Sequence, residues 1–184
     1  MAAAGAVLNV DRLRAVFDLV EHTIESRWGV PVRISDVPSP FTGDLDGAAI
    51  AIDYDNEIED ALFILIHLFG HTVQWNTSER ARQIGTRRPT ETWTEAELAE
   101  LAQYEIEACR LSLALLHSVQ VHDLDQWLSD FAACDAAYLM HFYRTGEKRP
   151  FRTFWQSDQE VLQPIEIPNF SPTSWISRFD GIVI

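Results

Sequence analysis

Apolar residues recur at helical spacing in four stretches of the chain and alternate with polar ones in two more. Over residues 11–27, Leu13, Val16, Phe17, Val20 and Ile24 fall three or four apart, which predicts an amphipathic helix ended by Gly29 and Pro31. VPVRISDV and AAIAIDYD then alternate as half-buried strands do, and PSPFTGDLDG between them reads as a turn region. Asn56 stands three residues before Glu59 and is the expected N-cap of an apolar helix running to about Trp75. Residues 76–92 turn polar, with Gly85 and Pro89, and predict a long loop whose length hints at function. Thr94 and Glu97 make a capping box for a helix reaching about His117, and Asp123 with Gln126 opens another that ends near Gly146.

Residues 147–184 follow no period but are rich in aromatics and punctuated by proline: FRTFWQ, IEIPNFSP, SWISRFDGIVI. Too apolar to stay in water, they are expected to pack on the core as a C-terminal tail. Trp155, Phe170, Trp175 and Phe179 are read as core or lid. The element order predicts one α+β domain over residues 1–184, mostly helical, with a small sheet beside the helix that follows AAIAIDYD.

Charge changes the picture more than composition does. Lys and Arg number 14 against 28 Asp and Glu, a formal net charge of −14. Such a surface repels phosphate backbones and anionic lipid, so no nucleic acid and no membrane is expected as a partner. Arg80, Arg82, Arg87 and Arg88 are the one basic cluster, and Glu79 and Glu91 flank it, so it reads as a solvated loop. The longest apolar run, residues 61–69, is too short to span a bilayer. The start, MAAAGAVLNVDRLR, lacks positive charge ahead of its small apolar run, and a cytoplasmic protein is expected. Cys109 and Cys134 have no CxxC or CxxH spacing and read as buried thiols.

The chemistry lies in LIHLFGHTVQW, residues 65–75. His67 and His71 are four apart and project from one helix face, a span one tetrahedral ion can bridge. A third ligand is expected from the next long helix. There Glu105 shares a stripe with Leu98, Leu101, Ala108, Cys109, Ser112 and Leu116, whereas Glu107 shares one with Glu100, Gln103 and Arg110. A carboxylate on an apolar stripe is costly unless it is paired or binds a metal, so Glu105 is the candidate third ligand. The alternative is a buried acid hydrogen-bonded to Tyr or His.

His67, His71 and Glu105, set behind AAIAIDYD and within HLFGH and EIEACRLSLALL, resemble the ImmA/IrrE-type metallopeptidases, a gluzincin-like family with a strand, an HExGH helix and a later ExEA helix. The resemblance covers about residues 50–118 and implies a zincin-like fold and a zinc ion on those three residues. It also implies a peptide or protein segment as substrate or partner, with links to transcriptional repressors or toxin–antitoxin pairs. Two positions depart. Leu68 stands where the family has its catalytic Glu, and Cys109 where its helix has Asn or Asp. Leu has no atom that can take a proton, so weak or no peptidase activity is expected, and no catalytic residue is assigned. Glu107, Asp135, Tyr138 and His141 are the nearest candidate bases by order along the chain. A non-catalytic module that binds a partner segment by strand addition beside AAIAIDYD is the alternative. His22, His117 and His122 are read as structural.

Overall fold

The computed structural model describes residues 9–38, 41–87 and 92–176. Among them the fold is α+β, with five α-helices and one three-stranded sheet. α1 (Val10–Trp28) starts where Asn9 Oδ1 accepts the Asp11 N–H, and it buries the five apolar residues that its period selects. Gly29 ends it at φ 67°, a left-handed conformation that glycine adopts without a side-chain clash.

β1 (Val32–Ser35) runs parallel to β3 (Ile50–Asp53), and β2 (Gly43–Leu45) runs antiparallel on the other side of β3, giving the order β1-β3-β2. β2 lies inside the stretch that the sequence marks as a turn. Gly-Asp-Leu has little strand propensity of its own, and its pairing is imposed by the turn that follows. Asp46 Oδ1 accepts from Ala48 N–H and Ala49 N–H, which folds β2 back onto β3. β3 is therefore the central strand, both of its edges are taken, and no segment can add to it.

α2 (Ile58–Thr77) is buried at every position from Ala61 to Trp75, as a helix is when it is wrapped on all sides. It packs on α1, on β2 and β3, and on α4 (Glu95–Ser118). Its N-cap is Glu57 and not Asn56. The Asn56 amide instead donates to Thr42 O and Asp53 O and ties the sheet to the helix start. The expected loop after α2 contains α3 (Glu79–Gly85), nucleated where Ser78 Oγ accepts from Ala81 N–H and where Ala81 and Ile84 reach the core. Residues 88–91, including Arg88 and Glu91, lie outside the described residues.

The Thr94–Glu97 capping box of α4 is present as its spacing predicts. α5 (Asp125–Thr145) is preceded by Leu124, and the expected cap residue Asp123 instead grips Arg12 at 3.0 and 2.7 Å. Gly146, at φ 70°, ends it. Beyond α5 the chain forms one 3-10 turn, Phe151–Phe154, and then runs extended, with Phe151, Trp155, Leu162, Ile165, Ile167, Phe170 and Ile176 packed against the core. Phe179 lies outside the described residues. Among those residues no helix is long and apolar enough to cross a membrane.

Candidate metal centre

α2 and α4 meet at Gly70. A Cβ built there would lie 2.9 Å from Ala108 Cα and closer still to the Ala108 carbonyl oxygen, so only glycine lets the two backbones approach this far. The approach carries the side chains one turn to either side into contact. Ser112 Oγ, donating to Ile66 O at 2.8 Å, fastens the same seam.

The three residues singled out by the sequence converge. Glu105 Oε2 lies 3.1 Å from His67 Nε2 and 3.1 Å from His71 Nε2, and the two nitrogens are 2.9 Å apart. All three residues are buried, and one ligand atom from each falls within a single metal-sized space. Burial pushes the Glu105 carboxyl upward, but the His71 and His67 imidazoles override it and hold the group below the usual carboxylate range. With Glu105 ionised, this triangle cannot be closed by hydrogen bonds. An imidazole nitrogen either donates or accepts. If both Nε2 atoms carry protons, two donors face each other; if one does, the other's lone pair faces a carboxylate oxygen. Three lone pairs around a cation satisfy every edge. His67, His71 and Glu105 would hold a zinc ion through these three atoms, whose separations of 2.9–3.1 Å suit ligand distances of about 2.0–2.1 Å.

Neighbouring groups orient the three side chains. His71 Nδ1 is 2.8 Å from Gln74 Oε1, and Gln74 is held in turn by its Nε2 donating to Tyr104 O at 2.9 Å. The amide thus presents its oxygen, Nδ1–H of His71 donates to it, and in the neutral ring this leaves Nε2 with a lone pair. His67 Nδ1 faces Cys109 Sγ at 3.4 Å. Burial raises the Cys109 thiol well above its usual range, reinforced by Asp135 and Glu105. The rings are also clamped, His67 stacking on Phe63 and His71 on Tyr104. Sequence spacing could have found Gln74, three residues from His71, and Cys109, four from Glu105, because both share their ligand's face.

Leu68 is fully buried and points elsewhere. It lies under β2, where a Cβ on Gly43 would come within 2.9 Å of Leu68 Cδ1 and 2.6 Å of Ile64 Cγ2. Of the four candidate bases, Asp135 on α5 has its Oδ2 4.0 Å from His67 Nε2. Burial lifts its carboxyl well above the ordinary range, against the pull of His67 and with a further push from Glu105. Asp135 and Tyr138 line a cavity of about 310 Å3 bounded also by Phe63, Phe131, Asn56 and Arg152. Glu107 instead accepts from Gln103, and His141 lies 3.6 Å from Glu147, both away from the triad.

Within the basic cluster, Arg80, Arg82 and Arg87 have partners within the chain. Arg80 pairs with Glu100, Arg82 donates to Trp75 O and stacks over Trp175, and Arg87 pairs with Glu97. Searches of protein-family models, of curated proteins and of solved structures each give no match to this chain.

Proposed function

We propose that the chain is a metal-binding protein with a zincin-like fold of the ImmA/IrrE type, holding zinc on His67, His71 and Glu105, in which peptide hydrolysis is weak or absent. The observation that carries this reading is the triangle of Nε2, Nε2 and Oε2 atoms, every edge of which a cation satisfies and, with Glu105 ionised, protons do not. The two departures from the family pattern fall at different places. Cys109 stands in the family's Asn or Asp position and retains contact with His67 Nδ1, so the ligand is still oriented. Leu68 stands in the Glu position and is packed into the core, so the base is lost and its space is filled.

Zinc bound there would polarise a carbonyl or lower the pKa of a water. The residues of the chain would position the ligands, exclude bulk solvent from a centre that is almost wholly buried, and offer one carboxylate, Asp135, on the cavity side. A peptide or protein segment is the proposed partner, one that fits a side chain into the cavity beside Phe63 and Phe131 and does not add to β3. A repressor or an antitoxin is the class of partner that the family resemblance suggests. The second reading, a module that binds without catalysis, is favoured by the burial of Leu68.

Metal analysis of protein purified without chelator or nickel resin, beside the Glu105→Gln variant, tests the centre. The expected result is that the wild type holds about one equivalent of zinc more than the Glu105→Gln variant. Metal-free protein that also takes up no added zinc would overturn the reading.

A further inference from the structure

A second group of metal-ligating side chains lies at the opposite end of α4. His117 is in the last turn of α4, His122 in the connection, and Asp125 opens α5. One ligand atom from each lies within 4.8 Å of the other two. His117 Nε2 is 2.9 and 3.0 Å from the two Asp125 oxygens, and the His117 and His122 rings are 4.3 Å apart at 44°.

The connection is built to bring them together. Leu116 O accepts from both Val119 N–H and Val121 N–H, Gln120 takes the left-handed region at φ 62°, and Val121 is buried beneath the turn. A non-glycine residue in that region costs roughly 1 kcal/mol, so the reversal is imposed by its surroundings, and it folds His122 back over His117. The His117–Asp125 pair alone is explained by a helix C-terminus favouring an imidazolium and a helix N-terminus favouring a carboxylate. His122 is not. Among the described residues its side chain has no hydrogen-bond partner: it lies against the His117 imidazole, which already holds Asp125, and the Asp123 carboxylate within its electrostatic reach is gripped by Arg12.

We propose that His117, His122 and Asp125 form a second metal site, separate from the buried triad, for a borderline divalent cation such as zinc, nickel or copper. Two imidazoles and one carboxylate select such ions over magnesium or calcium, which take oxygen ligands. His117 and Asp125 are about a quarter exposed and His122 is exposed, so the ion enters directly from solvent and water completes its shell. An ion there clips the end of α4 to the start of α5.

Zinc or cobalt added to metal-stripped full-length protein, with a chromophoric chelator as competitor, tests the site. His122→Ala is the main variant because that side chain is exposed and its loss leaves the core intact. The expected result is that His122→Ala binds one equivalent fewer than the wild type, that His117→Ala does the same, and that Glu105→Gln does not affect this equivalent. If the buried triad binds nothing, the wild type still takes up one equivalent and His122→Ala none. Equal stoichiometry and affinity in the wild type, His122→Ala and His117→Ala would overturn the proposal.

Discussion

Gly70 of α2 and Ala108 of α4 touch backbone to backbone, and this contact sets how closely His67 and His71 approach Glu105. Gly70→Ala places a methyl group on the Ala108 carbonyl, and no rotamer relieves the clash because both partners are main chain. The variant is expected to lose about 1–3 kcal/mol by urea unfolding and to lose metal binding as α2 and α4 move apart. Wild-type stability in Gly70→Ala would show that the helices are not held in close contact.

Chelator should lower the melting temperature of the metal-loaded wild type. A ligand bound only by the folded state adds about 2.7 kcal/mol when free metal is 100 times its dissociation constant. Glu105→Gln keeps the side chain's size and removes its charge, so its melting curve is expected to be insensitive to chelator at the buried centre. His122→Ala in both proteins removes the second site from the comparison. Equal sensitivity in the two proteins would mean that Glu105 is not a ligand.

Much of this centre can be read along the chain. Glu105 sits on an apolar stripe, and burial of a carboxylate at that point demands a partner, so its place in the cluster follows from periodicity while the nature of the partner does not. Asp135 shares a face of α5 with Leu128, Phe131 and Leu139 and so carries the same signal of a buried acid. Its approach to His67 depends on α5 packing on α4, a tertiary fact that the local pattern does not give. The sheet shows the same division. β1 and β3 alternate and are visible, while β2 is Gly-Asp-Leu and exists through the Asp46 turn that pairs it with β3. Asn56 and Asp123 have the right chemistry for caps, yet Thr42 O and Arg12 compete for them and win. Thr94 has no such rival, and its capping box forms as spelled.

Leu68→Glu would restore the letter missing from HExxH, but the position has no room for a charge. Leu68 is 0% exposed and packs beneath Gly43. Removing its side chain to Ala should cost about 2–5 kcal/mol, and a buried carboxylate should cost more. The expected outcome is a protein that unfolds or aggregates without gaining peptidase activity, seen by circular dichroism and a fluorogenic peptide. A folded Leu68→Glu protein that cleaves peptide would show that the space under β2 opens in solution.

The tail is latched at Asn76. Its Oδ1 accepts from Thr173 N–H at 3.0 Å and Trp175 Nε1–H at 3.2 Å, while its Nδ2 donates to Gly47 O and Thr72 O. Asn76→Ala removes all four bonds and leaves Gly47 O and the tail donors to water. Because the tail has no regular hydrogen-bond ladder there, the expected result is faster proteolytic trimming near Thr173 and a red-shifted Trp175 emission, with α1 to α5 intact. Cleavage at the wild-type rate would place the anchor elsewhere along the tail.

The capping box contributes to the acid limb of stability. Glu97 accepts from the Thr94 backbone N–H, from Arg87 and from the Thr94 hydroxyl, and these bonds lower its carboxyl from 4.5 to about 2. A group whose pKa is depressed by folding binds fewer protons in the folded state than in the unfolded one, so stability falls as pH falls. Its contribution is complete above about pH 4.5 and is lost as pH drops through about 2. Glu97→Gln retains an acceptor for Thr94 but cannot ionise, and it gives up the charge on Arg87. The variant is expected to melt below the wild type at pH 7, with the gap closing as pH is lowered across that window. Melting temperatures at half-unit steps from pH 6 to 2 check this, and a gap that stays constant would mean that the Glu97 charge contributes nothing to the fold.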